Sequence, residues 1–342
     1  MRLKNLPFVS IIILNYNGKK HLKELFESLN TLDYPKNKFE IIMGDNASSD
    51  NSIEYVQEIF PWVKVIKFNK NYGFAEGNNK LVDYTRKNSN FLIFLNNDVI
   101  VDKNLILGFI DNLEKDILCM GGKILLYPHK NIIDSAGDQI TIIGTGFGRG
   151  HLEKDEGLYD RKCLMSGISG ALFFIDKKLF IKMEGFDVDY FAYAEDIDLC
   201  WRLWLNNYKI LYTPASVIYH KGGGSFGSSR NLPNRLFLGQ RNRLYNILKN
   251  VQTINLPKAF FISTSYDLFR FMKFFILFNF LGIFSILKGY LHFFENFSKT
   301  IDKRRTIQRV RKLSDKSLYQ RGVISNLKNA ISMEFNLGRR KL

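Results

Sequence analysis

The run Phe8-Val9-Ser10-Ile11-Ile12-Ile13-Leu14-Asn15-Tyr16-Asn17-Gly18 decides how this chain folds. Seven mostly apolar residues fit a strand buried on both faces, and the polar Asn-Tyr-Asn-Gly that stops them fits a loop beyond its carboxyl end. A few basic residues precede the run, as in a signal peptide, but it is too short and leads to no small-residue cleavage site, so it reads as a strand. The same design repeats outward. Residues 19–29 are amphipathic, 39–43 apolar, 53–60 amphipathic, 63–68 apolar, 75–86 amphipathic and 91–95 apolar. This βαβαβαβ alternation predicts an α/β protein with a doubly wound, mostly parallel sheet covered by helices on both faces. Such sheets bind ligands beyond the carboxyl ends of their strands.

The polar residues sit where that rule wants them. The four apolar runs end in Asn15-Tyr16-Asn17, in residues 44–50 around Asp45, in residues 69–73 around Asn71, and in Asn96-Asn97-Asp98. Each cluster alone is ordinary turn or cap chemistry. Four on one edge suggest a binding site. The run lacks a following GxGxxG, and the chain lacks GxxxxGK[ST], so dinucleotide and P-loop cradles are missing. An acidic or amide side chain at Asp45 could instead hydrogen-bond a pyrimidine, and a carboxylate at Asp98 could hold Mg²⁺ or Mn²⁺ on a diphosphate.

Further along, the pattern predicts a helix over 102–112, a strand over 117–121, and a glycine-rich stretch through Gly157 with no assignable element. A strand over 170–175, a helix over 195–206 and a strand over 217–219 ending at His220 follow. Glu195, Asp196 and Asp198 open the second of these helices, where the macrodipole favours carboxylates, and Asp198 with Arg202 at i, i+4 reads as a surface pair. Tyr190, Phe191 and Tyr193 crowd the same segment, and aromatic walls beside carboxylates also suit a sugar hydroxyl awaiting deprotonation. His220 is either a structural strand-end residue or a ligand. The glycines after it, 222–224, would let a loop close over a bound molecule.

These stretches together resemble the family 2 inverting glycosyltransferases with the GT-A fold, in particular the rhamnosyltransferase-like branch of bacterial surface-polysaccharide synthesis. The matching segments are residues 9–18, 44–52 (GDNASSDNS), 69–79 (NKNYGFAEGNN), 94–99 (FLNNDV), 169–186, 191–202 and 215–223. The resemblance implies that Asn15 and Asn17 lie by the nucleotide, that Asp45 contacts the base, and that Asn71 and Asn79 line the donor side. Asn96 and Asn97 occupy the first two positions of the family's DxD motif. Asp98 occupies the last and would bind the metal with His220. Asp196 matches the general base with Glu195 beside it. Trp201 and Arg241 are candidates for diphosphate or acceptor contacts. The implied reaction transfers a sugar, rhamnose from TDP-rhamnose in that branch, from a UDP- or TDP-sugar to a saccharide hydroxyl, with Mg²⁺ or Mn²⁺ as cofactor. The implied acceptor is lipid-linked and the implied product an O-antigen, capsule or cell-wall polysaccharide. Asn-Asn-Asp in place of Asp-x-Asp leaves one carboxylate, so the donor's phosphates would complete the metal site.

Composition bounds the rest. With 342 residues, 46% hydrophobic, the chain is too long for a small module and too apolar for a disordered one. Cys119, Cys163 and Cys200 form no CxxC pair, which excludes a disulfide framework and points to the cytoplasm. The net charge of +16 is concentrated at the end: residues 256–342 hold 17 Lys and Arg against five Asp and Glu. The first 255 residues, read as the catalytic domain, are therefore nearly balanced, and no nucleic-acid groove is expected there. In the tail, the longest uncharged run, residues 274–287, would reach only ~21 Å as a helix against a hydrocarbon core of ~30 Å. Residues 256–342 thus read as Phe-rich helices lying on the anionic inner face of the cytoplasmic membrane, an attachment whose removal leaves the site intact. Two other classes remain open at this stage: a nucleotidyltransferase, which also uses a doubly wound sheet, and a non-catalytic membrane adaptor.

Overall fold

The apolar run becomes the strand its pattern demands. In this computed structural model, which describes residues 6–222 and 232–325, the elements begin β1 (Val9–Asn15), α1 (Lys19–Asn30), β2 (Phe39–Asp45), α2 (Ser52–Ile59), β3 (Lys64–Lys67), α3 (Gly73–Val82) and β4 (Phe91–Asn96). Then come β5 (Val99–Val101), α4 (Leu105–Ile110), β6 (Ile117–Leu126), β7 (Ile133–Ser135), β8 (Asp138–Thr141), β9 (Gly146–Gly148), β10 (Cys163–Leu164), β11 (Leu172–Asp176), α5 (Lys177–Lys182), α6 (Glu195–Leu205) and β12 (Lys209–His220). The chain continues through α7 (Leu232–Asn250), α8 (Leu256–Ile276), α9 (Phe280–Glu295), α10 (Phe297–Val310), α11 (Asp315–Gln320) and β13 (Ile324–Ser325). Gly223, Gly224 and Ser225 of the expected closing loop lie outside the described residues.

β1 lies between β2 and β4, parallel to both, and β3 extends the sheet beyond β2. Its side chains alternate between two cores: Ile12 joins Phe94, Phe173 and Trp201 on one face, and Ile11 and Ile13 join Leu25, Phe26 and Phe174 on the other. The register sets Asn15 beside Asp45 and Leu14 beside Asn96, which brings the polar stops to one edge.

The second half is not parallel throughout. β11 runs antiparallel between β4 and β6, and β12 then runs parallel to β6, so the sheet is mixed. After β4 the chain turns at Asn97-Asp98 into β5, which pairs antiparallel with the end of β12 and sets His220 opposite Val99. That pairing brings two candidate metal ligands, 122 residues apart in sequence, to one place. β12 is twelve residues long where the pattern predicted three, because a register shift between Thr213 and Val217 breaks its alternation.

The helices after 255 are not a detachable attachment. Arg243 of α7 pairs with Asp267 of α8 at 2.5 Å, and Lys299 and Lys303 of α10 reach Asp189 at 2.5 and 2.6 Å. Lys303 also pairs with Asp187, and the Arg304 guanidinium donates to the carbonyls of Leu248 and Val251. The outward face of α8 and α9 carries Phe261, Phe275, Phe278, Phe284 and Leu291, each more than half exposed. Among the described residues no helix is long and apolar enough to cross a membrane.

Candidate active site

At the strand ends, backbone geometry and amide chemistry cooperate. Asn15, fully buried, donates from Nδ2 to Asp45 Oδ2 at 3.0 Å and accepts at Oδ1 from Asn97 Nδ2 at 2.8 Å. Gly18 passes beneath this contact: a Cβ there would come within 2.2 Å of Asn97 Nδ2 and 2.5 Å of Asn15 Oδ1, so only glycine fits. Asn15, Asn96, Asn97 and Asp98 line one wall of a cavity of about 570 Å³, and Glu195, Asp196 and His220 line another.

His220 is held from both sides. Its Nε2 lies 3.3 Å from Asp98 Oδ1 and its Nδ1 2.7 Å from Asp134 Oδ2, while His151 Nδ1 lies 3.2 Å from the other Asp134 oxygen. Burial opposes a charge on the imidazole, but hydrogen bonds from Asp134 and Asp98 outweigh it and raise the His220 pKa to about 10. Burial likewise opposes the Asp134 charge, and the two histidines overcome it and hold its carboxyl well below the usual range. One carboxylate and one imidazole braced by a second-shell carboxylate fit Mg²⁺ or Mn²⁺, which would displace the imidazole proton. Among the described residues no group of three or more His, Cys, Asp or Glu side chains is disposed to hold a metal ion, so further ligands would come from the diphosphate.

The carboxylates of α6 are presented by a strained loop. Phe191, Tyr193 and Ala194 have φ of 61°, 71° and 64°, each costing roughly 1–3 kcal/mol. Asn242 of α7 holds this loop by donating from Nδ2 to the carbonyls of Tyr190, Ala192 and Tyr193 at 3.0, 2.8 and 2.7 Å. Asp196 does not serve as the helix cap. Its Oδ2 accepts from Gly170 N–H and its Oδ1 from Ile197 N–H, both at 2.7 Å. Burial raises its pKa despite these bonds. Glu195 is pushed well above the carboxylate range, by burial first and the Asp196 charge second, and its Oε2 has no hydrogen-bond partner. The pair therefore divides into a protonated Glu195 and an ionisable Asp196 of raised proton affinity, the property a general base needs.

Several expected residues lie elsewhere. Asp45 is fully buried, where it supports Asn15 and accepts from Ser48 N–H at 2.7 Å. Asn17 is exposed and accepts from Ser49 N–H. Asn71 accepts from Gly73 N–H at the start of α3, and Asn79 bridges α3 to the N–H and carbonyl of Phe186. Trp201 packs wholly inside the core. Arg241 donates to the carbonyls of Asp189 and Tyr190, so it braces the loop and does not line the cavity. Asp198 and Arg202 are no surface pair: they are buried, 2.8 Å apart, with Lys249 at 2.8 Å from Asp198.

Asp134, His151 and Asn242 escaped the sequence reading. The first two lie in the glycine-rich stretch that predicted no element; the signal available was that His151 is one of only five histidines in the chain.

Comparison with known proteins agrees with this geometry. Residues 10–182 match the model for "Glycosyl transferase family 2", and residues 98–297 that for "Glycosyl transferase family group 2". Rhamnosyltransferase WbbL of Escherichia coli is 27% identical over 62% of this chain and 83% of its own length. The GalNAc(5)-diNAcBac-PP-undecaprenol beta-1,3-glucosyltransferase of Campylobacter jejuni is 24% identical over 72% of this chain and 75% of its own. The crystal structure of GalNAc-T7 with UDP, GalNAc and Mn²⁺ superposes with a TM-score of 0.54 at 20% identity, over 70% of this chain; the chain spans about half of that structure, 48%.

Proposed function

The chain belongs to glycosyl transferase family 2, and from that membership we propose a metal-dependent, inverting transfer of a sugar from a nucleoside diphosphate to a saccharide hydroxyl. A nucleotidyltransferase or adaptor role is thereby set aside. One observation carries the proposal: Asp98, His220, Glu195 and Asp196 surround a single cavity at the carboxyl edge of β1 and β4.

Asp196 takes the proton of the acceptor hydroxyl as its oxygen attacks the anomeric carbon from the face opposite the diphosphate, so configuration inverts in one displacement. Gly170 N–H and Ile197 N–H hold that carboxylate in place as it works. Glu195, kept protonated, does not compete for the proton and can donate to a sugar oxygen. Asp98 and His220 would hold Mg²⁺ or Mn²⁺, which when bound neutralises charge on the departing diphosphate. Asp134 keeps the His220 ring aimed at Asp98.

Rhamnose carried by TDP is the proposed donor, supported by the likeness to WbbL, and a lipid-linked saccharide the proposed acceptor, supported by the likeness to the undecaprenol-dependent enzyme. The apolar outer face of α8 and α9 supports a peripheral seat on the cytoplasmic membrane surface, in polysaccharide biosynthesis. The test is a panel of UDP- and TDP-sugars with Mn²⁺, read by release of UDP or TDP. TDP-rhamnose should be the best donor; release from none of them would overturn the proposal.

A further inference from the structure

A second cavity, of about 510 Å³, shares Asp196, Ala194, Ser169 and Asp134 with the donor cavity. From there it reaches β9 and α7, where Phe147, Asp138, Glu153, Gly239 and Arg243 line it. Its size lies in the range of about 300–1,000 Å³ that holds small ligands. A group bound there would meet the Asp196 carboxylate from a cavity other than the one that receives the donor.

The charges on its wall are unequal. Asp138, Glu153 and Asp196 face it as carboxylates, and burial together with the Asp196 charge pushes Asp138 up to about 7. Its cations are already engaged: His151 with Asp134 at 3.2 Å, and Arg243 with Asp267 at 2.5 Å. Arg243 is buried to 2% exposure and its Nε has no hydrogen-bond partner, which leaves one neutral-ligand donor position at the wall. Carboxylates that accept hydroxyl hydrogens, together with an aromatic ring, suit sugar; the absence of an unengaged cation among the described lining residues disfavours an anion.

Resting on the transferase reading above, we infer that this cavity is the acceptor subsite, that it takes an uncharged saccharide, and that it discriminates against acceptors carrying a uronate or phosphate at the bound ring. Gly239 keeps it open: a Cβ at that position meets nothing within 4 Å. A larger side chain there would enter the cavity without displacing protein atoms, and on a helix it replaces a weak helix former.

The test uses the full chain, the best donor of the nucleotide-sugar panel, and octyl glycosides as acceptors. Neutral octyl glycosides should stimulate UDP or TDP release at least about tenfold more than octyl glucuronide, since like charges brought together are strongly disfavoured. Gly239→Trp should lose that stimulation by a similar factor while its affinity for UDP or TDP, read by calorimetry, stays within about twofold; Gly239→Ala should lose far less. Phe147→Ala provides a second variant and should raise the KM for the glycoside more than it lowers kcat. The inference is overturned if glucuronide stimulates as well as the neutral glycosides, if no neutral glycoside stimulates, or if Gly239→Trp is stimulated like the wild type. A wild type that binds neither UDP nor TDP would instead sink the donor reading, which the calorimetry reports separately.

Discussion

At the carboxyl edge of β1, β2 and β4, amides and carboxylates hydrogen-bond to one another beside a cavity while the apolar side chains lie behind them in the sheet. In α8 to α10 the order is reversed. Arg304 and Lys303 point inward to carbonyls and carboxylates of the catalytic domain, and Phe275, Phe278 and Phe284 point outward. The strand edge follows the ordinary rule for a soluble α/β protein; the helices follow a rule suited to an apolar neighbour. The difference shows that the tail's +12 is not simply a handle for anionic lipid. Much of it steadies residues 187–193, the loop that presents Asp196.

The sharpest way to break the comparison is at the strand edge. Asp98→Ala, or chelation by EDTA, should abolish transfer, and Mn²⁺ should rescue the chelated wild type but not the variant. Full activity in EDTA would mean that His220 and its neighbours stabilise the leaving group as cations.

The next largest effect lies on the inward face of α7. Lys249 is 2% exposed between Asp187 and Asp198, and Lys249→Ala strands both carboxylates at a cost of about 3–5 kcal/mol in unfolding experiments. Lys303→Ala, at a side chain 29% exposed, should cost only about 1 kcal/mol. Equal effects would mean that burial does not set their weight. The pH dependence has a definite sign. Burial opposes the Asp187 charge, but Lys249 and Lys303 overcome this and hold its pKa below the ordinary 3.8. The unfolded chain therefore binds that proton first as pH falls, so the contribution is complete above about pH 4 and drains away below it.

A smaller, graded effect concerns the base. Because burial raises the Asp196 pKa, kcat/KM should fall about tenfold per pH unit on an acid limb centred above the ordinary 3.8. An acid limb at or below 3.8 would place Asp196 in a wetter site than the structure gives it.

Least costly to the fold should be the outer face. Phe275→Ser, Phe278→Ser and Phe284→Ser should each change stability by no more than about 0.5 kcal/mol, yet together they should release the protein from anionic vesicles. High salt should release the wild type only in part, because many of the tail's cations face inward. Complete release by salt would return the weight to charge.

The parallel half of the sheet was legible because strands buried on both faces leave unbroken apolar runs, and because polar residues stop those runs in register. Asn15, Asp98, Asp196 and His220 were legible for the same reason: they stand at element ends. Asp134 and His151 were not, since β7 to β9 are short and owe their burial to distant partners. Asp198 and Arg202 misled because i, i+4 spacing looks alike on a surface and in a core, and only α7, with Lys249, decides which. The outward phenylalanines of the tail were visible as composition, but the inward set of its charges was not, because it depends on Asp187 and Asp189 more than a hundred residues earlier.

The central claim, that Asp196 deprotonates the acceptor beside a bound nucleotide sugar, is tested most directly by measuring Asp196→Asn and wild type side by side for turnover and for UDP or TDP affinity. The account predicts turnover reduced by about 10²–10⁴-fold with nucleotide affinity nearly unchanged. Turnover close to that of the wild type would contradict it and leave Asp196 as a structural partner of Gly170.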